Sequence, residues 1–281
     1  MDDQPTLVET DWLQDNLKND GISIVDATWY LPNVDATGIR DYENGHIPGA
    51  VFWDLDRIAD AGTALPHMLP NAIVFEGHMR DLGIANSNHV VVYDNVRMMT
   101  APRVWWMLRA FGHENVSVLN GGLLKWKAEK RTTTSKVPEP KSVEFKAVLN
   151  PEMVRSLGRV LGTLESMEEQ VLDARSAGRF WGKDAEPRPD CRSGHIPGSL
   201  NLPFNELIDP TTGLFHPVEQ LRRRFQQAGI DADRPVITTC GSGVTACVLS
   251  LALSLIGRED VSIYDGSWTE WGGRMDTPVE T

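Results

Sequence analysis

Pro235-Val236-Ile237-Thr238-Thr239-Cys240-Gly241-Ser242-Gly243-Val244-Thr245-Ala246, followed by Cys247-Val248-Leu249-Ser250-Leu251-Ala252-Leu253, is a β-branched run, a loop with two glycines and an apolar run in succession. The pattern predicts a strand, a tight loop and a buried helix. Glycines close to Cys240 let the backbone curl and turn its N–H groups inward. Successive inward N–H groups make an anion-binding nest, and the N-terminus of the following helix adds positive potential. A cysteine at the mouth of such a nest is expected to have a lowered pKa and to act as a nucleophile. The competing reading is a structural cysteine at a strand end. Two glycines and two hydroxyls among the five residues after Cys240 favour the nucleophile.

Working outward, the region around this loop has a counterpart earlier in the chain. Val171-Leu172-Asp173-Ala174 answers Ile24-Val25-Asp26-Ala27 at an offset of 147 residues, and Gly194-His195-Ile196-Pro197-Gly198 repeats Gly45-His46-Ile47-Pro48-Gly49 at 149. Val261–Gly266 answers Val116–Gly121, and Trp271 answers Trp126 at 145. An offset held this closely across four landmarks marks a duplicated domain. Thr132–Lys141 is polar with two prolines and reads as an exposed linker. The expected organisation is a first copy over residues 1–130, a linker over 131–150 and a second copy over 151–281.

Each copy alternates short apolar strands with helical patterns: a helix opening at Thr10-Asp11 with one of them as cap, strands at 22–27, 90–93 and 116–119, and helices over 73–83 and 104–108. This predicts an α/β fold of two tandem domains, each a parallel sheet flanked by helices. In open sheets of this kind ligands bind beyond the carboxyl ends of the strands. Cys240 stands at such an end. The matching loop of the first copy, Asp94–Thr100, holds no cysteine. The chemistry is therefore expected in the second copy, with the first a silent partner that shapes the cleft.

The chain has 281 residues, 41% of them hydrophobic and 23% charged, with a net charge of -12. That balance argues against nucleic-acid binding, which needs a basic footprint. It leaves room for an anionic substrate held by a local arginine cluster. Three cysteines, Cys191, Cys240 and Cys247, form no CxxC pair and no zinc spacing, and they suit a reducing compartment. No apolar run reaches spanning length, and the acidic start lacks a signal core. The reading is a cytoplasmic protein with no membrane partner.

With these residues in view, the chain resembles the two-domain rhodanese sulfurtransferase superfamily. The resemblance rests on the paired Gly-His-Ile-Pro-Gly, on Cys240–Ala246, on Ser176–Phe180 and on Tyr264–Trp271. Within the superfamily Cys240–Ala246 is similar to the loop of 3-mercaptopyruvate sulfurtransferases. It implies rhodanese-like domains and sulfur transfer from 3-mercaptopyruvate to a thiol, a dithiol such as a thioredoxin-like reductant, or cyanide. The sulfur passes through a persulfide on Cys240, pyruvate is released, and no metal or organic cofactor is needed. It implies substrate contacts from Gly241, Gly243, Val244 and Thr245, and Arg179 and Arg188 holding the carboxylate and ketone. Arginine's planar fork suits that task. It also implies a proton relay of Ser242, His67 and Asp56, the last two from the first copy.

The bland readings stand beside these. The arginines between 175 and 192 could pair with Asp184, Glu186 or Asp190, and Arg175 and Arg192 are read as structural. His46 and His195 are expected to hold their turns, Asp26 and Asp173 to accept local backbone bonds, and Cys247 and the tryptophans to fill cores. Cys191, in the arginine-rich loop, could be exposed. Three alternatives remain at this stage: thiosulfate sulfurtransferase, a cysteine phosphatase and a non-catalytic binding module. Thiosulfate-using relatives carry Arg and Lys where this chain has Gly241 and Ser242. A phosphatase needs an arginine where Ala246 stands.

Overall fold

The computed structural model describes residues 5–281. Two compact units divide the chain, and they exchange short segments. The first comprises residues 1–61, 69–150 and 210–215, and the second 62–68, 151–209 and 216–281. Chain order alone put His67 in the first copy; by contacts its segment belongs to the second unit.

The first unit runs β1 (Leu7–Val8), α1 (Thr10–Asn16), β2 (Ile22–Asp26), α2 (Gly38–Asn44), β3 (Val51–Phe52), α3 (Ala72–Asp81), β4 (His89–Tyr93), α4 (Ala101–Ala110), β5 (Val116–Leu119) and α5 (Gly122–Ala128). The second runs β6 (Val154–Arg155), α6 (Leu157–Ser166), β7 (Gln170–Asp173), α7 (Ala177–Phe180), β8 (Leu200–Asn201), α8 (Val218–Gln227), β9 (Val236–Thr239), α9 (Ala246–Leu255), β10 (Val261–Tyr264) and α10 (Ser267–Trp271). Both sheets have five strands, in the orders β1-β5-β4-β2-β3 and β6-β10-β9-β7-β8, and every pairing is parallel.

β4 and β9 are the central strands, and all their residues are buried. Parallel strands need crossover helices, which cover both faces, so β-branched runs such as Val90-Val91-Val92 suit these positions better than alternating patterns. α9 is buried along eight of its ten residues, in keeping with apolar side chains all round it. The tryptophans read as core residues are so: Trp105, Trp106, Trp126, Trp268 and Trp271 are buried.

The duplication extends to individual hydrogen bonds. Ala27 N donates to Tyr93 O and Ala174 N to Thr239 O; Trp53 N donates to Asp26 O and Leu202 N to Asp173 O. His46 stacks on Tyr42 and contacts its carbonyl at 2.7 Å, as His195 does with Phe180 at 2.9 Å. Each histidine also bridges to a later segment, His46 to Thr134 and His195 to Glu280. Both therefore hold their turns, as expected. Asp26 Oδ1 accepts from Thr28 N and Asp173 Oδ1 from Arg175 N, the expected local bonds.

Two expectations are corrected. The cap of α1 is Glu9, not Thr10 or Asp11; Thr10 is buried, and its hydroxyl donates to Glu129 Oε2. Residues 131–150 are not a free linker but pack on the first unit. Thr134 pairs with His46, Asn86 holds both N and O of Lys146, and Phe145 is buried against Phe75. Prolines set the polar part of this stretch extended, and its later apolar residues give it something to bury.

At the opposite end of the first sheet from the carboxyl ends, His89 donates from Nε2 to Ser117 Oγ at 2.8 Å, because the one Ser117 proton goes to Pro5 O. Burial lowers the pKa of His89, His113 and His78 below the ordinary 6.5. All three are neutral in the folded unit at neutral pH. As pH falls below about 6.5 the unfolded chain binds their protons first, so their contribution is present above that pH and is lost below it. The expected outcome is a melting temperature that falls between about pH 7.5 and 5.5, with the fall reduced in His89→Gln/His113→Gln. Calorimetry at several pH values measures it; an equal fall in the variant would rule these histidines out.

Candidate active site

The loop from Cys240 to Thr245 joins the central strand β9 to α9, at the carboxyl end of the second sheet. Cys240 is buried, 2% exposed. Its N–H donates to Ser267 Oγ at 3.2 Å and its carbonyl accepts from Trp268 N at 2.9 Å. Gly241 O accepts from Thr269 N at 2.9 Å and from Thr269 Oγ1 at 2.6 Å. The start of α10 thus pins the cysteine and the next residue by four bonds. Ser267 sits at φ +49°, a strained value for a non-glycine, which the bonds at its hydroxyl hold in place.

The two glycines do different work. Gly243 has φ +76°, the left-handed region that a side chain disfavours. Gly241 is not left-handed; a Cβ there would stand 3.3 Å from Arg179 Nη2. Gly241 therefore supplies room beside an arginine, rather than a turn. Val244 and Ser242 are buried, Thr245 precedes α9, and the Cys247 thiol donates to Gly243 O at 3.2 Å from a wholly buried position. The core reading of Cys247 stands, with the added task of bracing the loop.

The matching loop of the first unit shows what this backbone path binds. Asp94 follows β4 as Cys240 follows β9, and Leu123 N donates to Asp94 O as Trp268 N donates to Cys240 O. The Asp94 carboxylate accepts from the N–H groups of Val96, Met98, Thr100 and Ala101, at 2.8 to 3.0 Å. It is an anion filling a nest of inward N–H groups. In the second unit the N–H groups of Ser242 and Val244, the counterparts of Val96 and Met98, donate to no protein acceptor among the described residues.

The Ser242 hydroxyl meets His67 Nδ1 at 3.1 Å, across 175 residues of chain. His67 is 5% exposed and sits at φ +61°. A buried histidine held in the left-handed region beside the cysteine loop is the kind of local strain that accompanies function. Asp56 lies in the first unit, exposed, where its Oδ2 accepts the Trp29 indole N–H at 2.9 Å.

The arginine segment divides by role. Arg175 is fully buried, paired with Asp173 at 2.7 Å and Glu186 at 2.8 Å and lying over Trp268. Arg192 is spent on the carbonyls of Trp271, Gly272 and Thr277. Both are structural, as expected. Arg179 pairs with Glu186 at 2.6 Å, one of the pairings the bland reading allowed. Arg188 donates to Thr269 Oγ1 at 3.0 Å, and among the described residues no carboxylate pairs with it. Burial lowers its pKa, and the Cys240 sulfur is the next-largest influence, raising it. A desolvated guanidinium with no carboxylate partner among the described residues is poised for an anion. Cys191 is half-buried; burial and Glu186 push its thiol pKa up, which disfavours its thiolate.

Sequence reasoning missed Thr269, Ser267 and the double use of Glu186. Thr269 has one proton, which goes to Gly241 O, so its oxygen accepts from Arg188; a single hydroxyl ties the arginine to the cysteine loop. The motif Tyr264–Trp271 marked the segment, but spacing could not say that it folds over Cys240. Among the described residues no group of three His, Cys, Asp or Glu side chains could hold a metal ion, and no helix is long and apolar enough to cross a membrane.

A duplicated five-stranded parallel sheet with a cysteine loop at the end of one central strand defines the class. The family model for the rhodanese-like domain matches residues 9–129 and 157–274. The chain belongs to the rhodanese family, with two such domains. It is 43% identical over 274 residues to a 3-mercaptopyruvate sulfurtransferase of Escherichia coli strain K12, covering 97% of each chain. It is 42% identical to the mitochondrial thiosulfate/3-mercaptopyruvate sulfurtransferase 1 of Arabidopsis thaliana, covering 98% of this chain and 78% of that one. The crystal structure of Escherichia coli SseA, a 3-mercaptopyruvate sulfurtransferase, superposes with a TM-score of 0.87 at 40% identity, covering 94% of this chain and 99% of that one.

Asp94→Ala should destabilise the first unit by at least about 3 kcal/mol, since it leaves four buried N–H groups without an acceptor. Thermal melting measures it. A loss under about 1 kcal/mol would mean that the loop reaches other acceptors.

Proposed function

We propose that the protein is a 3-mercaptopyruvate sulfurtransferase whose nucleophile is Cys240. The observation that carries this reading is the pair of matched loops: the first domain fills its nest with the Asp94 carboxylate, and the second puts a cysteine at the same place. The first domain is then silent because its nest is already occupied by its own side chain. Gly241 and Ser242 favour this donor over thiosulfate, because neither brings the positive charge that a compact dianion requires.

In this reading the Arg188 guanidinium takes the substrate carboxylate, and the edge of Arg179 left over from Glu186 takes the ketone oxygen. The Cys240 thiolate attacks the substrate sulfur. An S–S bond forms, the C–S bond breaks and its electron pair goes to carbon, leaving the pyruvate enolate. The inward N–H groups stabilise negative charge at the sulfur as it develops. Ser242, hydrogen-bonded to His67, delivers the proton that converts the enolate to pyruvate, with Asp56 as the proposed third member of the relay. A second thiolate then attacks the outer persulfide sulfur and restores Cys240, a ping-pong cycle. A thiol or a dithiol reductant of the thioredoxin type is the proposed acceptor. Backbone contacts from Gly243, Val244 and Thr245 complete the substrate site. Three unpaired cysteines support a reducing compartment, with the cytoplasm as the proposed location.

Mass spectrometry after treatment with 3-mercaptopyruvate should show one added sulfur atom on Cys240, and Cys240→Ser should abolish transfer while keeping its melting temperature. Sulfur on Cys191 or Cys247, with Cys240 unmodified, would overturn the assignment. Arg188→Ala should raise KM for the keto acid roughly tenfold to 150-fold, the cost of a charged hydrogen bond, and Arg188→Lys should restore only part of it. Unchanged kinetics in Arg188→Ala would mean that the carboxylate is held elsewhere.

A further inference from the structure

Two arginines beside the cysteine loop are paired with two carboxylates. Arg175 donates to both oxygens of Asp173 and, through Nη1, to Glu186 Oε1 at 2.8 Å. The other Glu186 oxygen takes Arg179 Nη2 at 2.6 Å. Asp173 and Glu186 therefore neutralise Arg175 and Arg179. The Glu186 side chain is 4% exposed, so solvent and salt screen its charge weakly. Arg188 is left over, with a threonine hydroxyl as its polar partner. Arg179 and Arg188 both belong to the loop's surroundings: Arg179 lies against Gly241, and Arg188 bonds Thr269, which bonds Gly241 O.

Glu186 thus cancels a positive charge that Arg179 would otherwise place beside the loop. A 2-keto-3-thio acid with its thiol protonated brings one full negative charge; thiosulfate brings two within a few ångströms. We propose that Glu186 is a specificity-determining residue: by cancelling Arg179 it takes one positive charge from beside the loop, which penalises a dianionic donor more than a monoanionic one. This rests on the sulfurtransferase reading above and adds to it a reason for donor choice that lies outside the Cys240–Ala246 loop. Glu186 does not touch the donor in this scheme; it acts through Arg179.

The test is Glu186→Gln, which keeps the side-chain shape and removes the charge, assayed with thiosulfate and with 3-mercaptopyruvate. The ratio of kcat/KM for thiosulfate to that for 3-mercaptopyruvate should rise about tenfold over wild type. Arg179→Gln, which leaves the buried pairing of Arg175 with Asp173 and Glu186 intact, should lower kcat/KM for thiosulfate, the donor that has no ketone for Arg179 to hold. It also keeps the test open if Glu186→Gln fails to fold, which melting temperatures report. A ratio that stays put in folded Glu186→Gln, or a thiosulfate kcat/KM that does not fall in folded Arg179→Gln, overturns the proposal while leaving the activity standing. A wild type that forms no persulfide on Cys240 from either donor removes the activity reading and this proposal with it.

Discussion

A strand that ends at the centre of a parallel sheet and turns at once into a buried helix leaves several N–H groups facing the same small space. Water reaches that space poorly, and unmet buried donors are costly. The fold therefore demands negative charge there, and each domain answers in its own way. The first supplies Asp94, whose carboxylate takes four backbone N–H groups. The second places Cys240 at the same point and leaves counterpart N–H groups without a protein acceptor among the described residues. One constraint on the backbone thus yields a closed structural knot in one copy and a proposed reaction centre in the other.

The rest of the second domain supports that centre. Ser267, Trp268 and Thr269 hold the backbone of Cys240 and Gly241, and Thr269 carries the connection on to Arg188. Cys247 braces the loop from the helix side through Gly243 O. The region between the strand carboxylate and the turn histidine is of nearly equal length in the two copies, but it is spent differently. In the first, α2 ends two residues before His46, and Tyr42 lies four before it. In the second, α7 comes early, and Phe180 lies fifteen residues before His195. The extra residues after α7 carry Glu186, Arg188 and Cys191. The short helix sits at a different place along the connection in the two copies, while the sheet order is the same.

Charge placement then decides more than charge number. The molecule is acidic overall, yet beside the loop Arg175 and Arg179 are paired with Asp173 and Glu186, and Arg188 has no carboxylate partner among the described residues. Buried pairs such as Arg175 with Asp173 contribute order at the site, since either partner alone would be an uncompensated charge. The arginine without a carboxylate is the costly one, and such a cost persists where a ligand repays it.

Much of this was legible in the chain itself. Repetition at an offset near 147, strand and helix periodicity, and a glycine-punctuated cysteine loop were enough for two α/β domains, the place of the Cys240 loop at a strand end and the structural tasks of His46, His195, Asp26 and Asp173. These features are local: each is written in a few consecutive residues or in a repeat of them. The cap of α1, the docking of residues 131–150 on the first unit, the room that Gly241 makes for Arg179, and the membership of His67 in the second unit were not. Nor was the hydroxyl of Thr269 as the tie between Arg188 and Gly241, or Glu186 as the shared partner of two arginines. Those depend on which distant segments the sheet order brings together. His67 and Ser242, 175 residues apart, meet because of where the chain returns, and spacing along a sequence carries no record of that return.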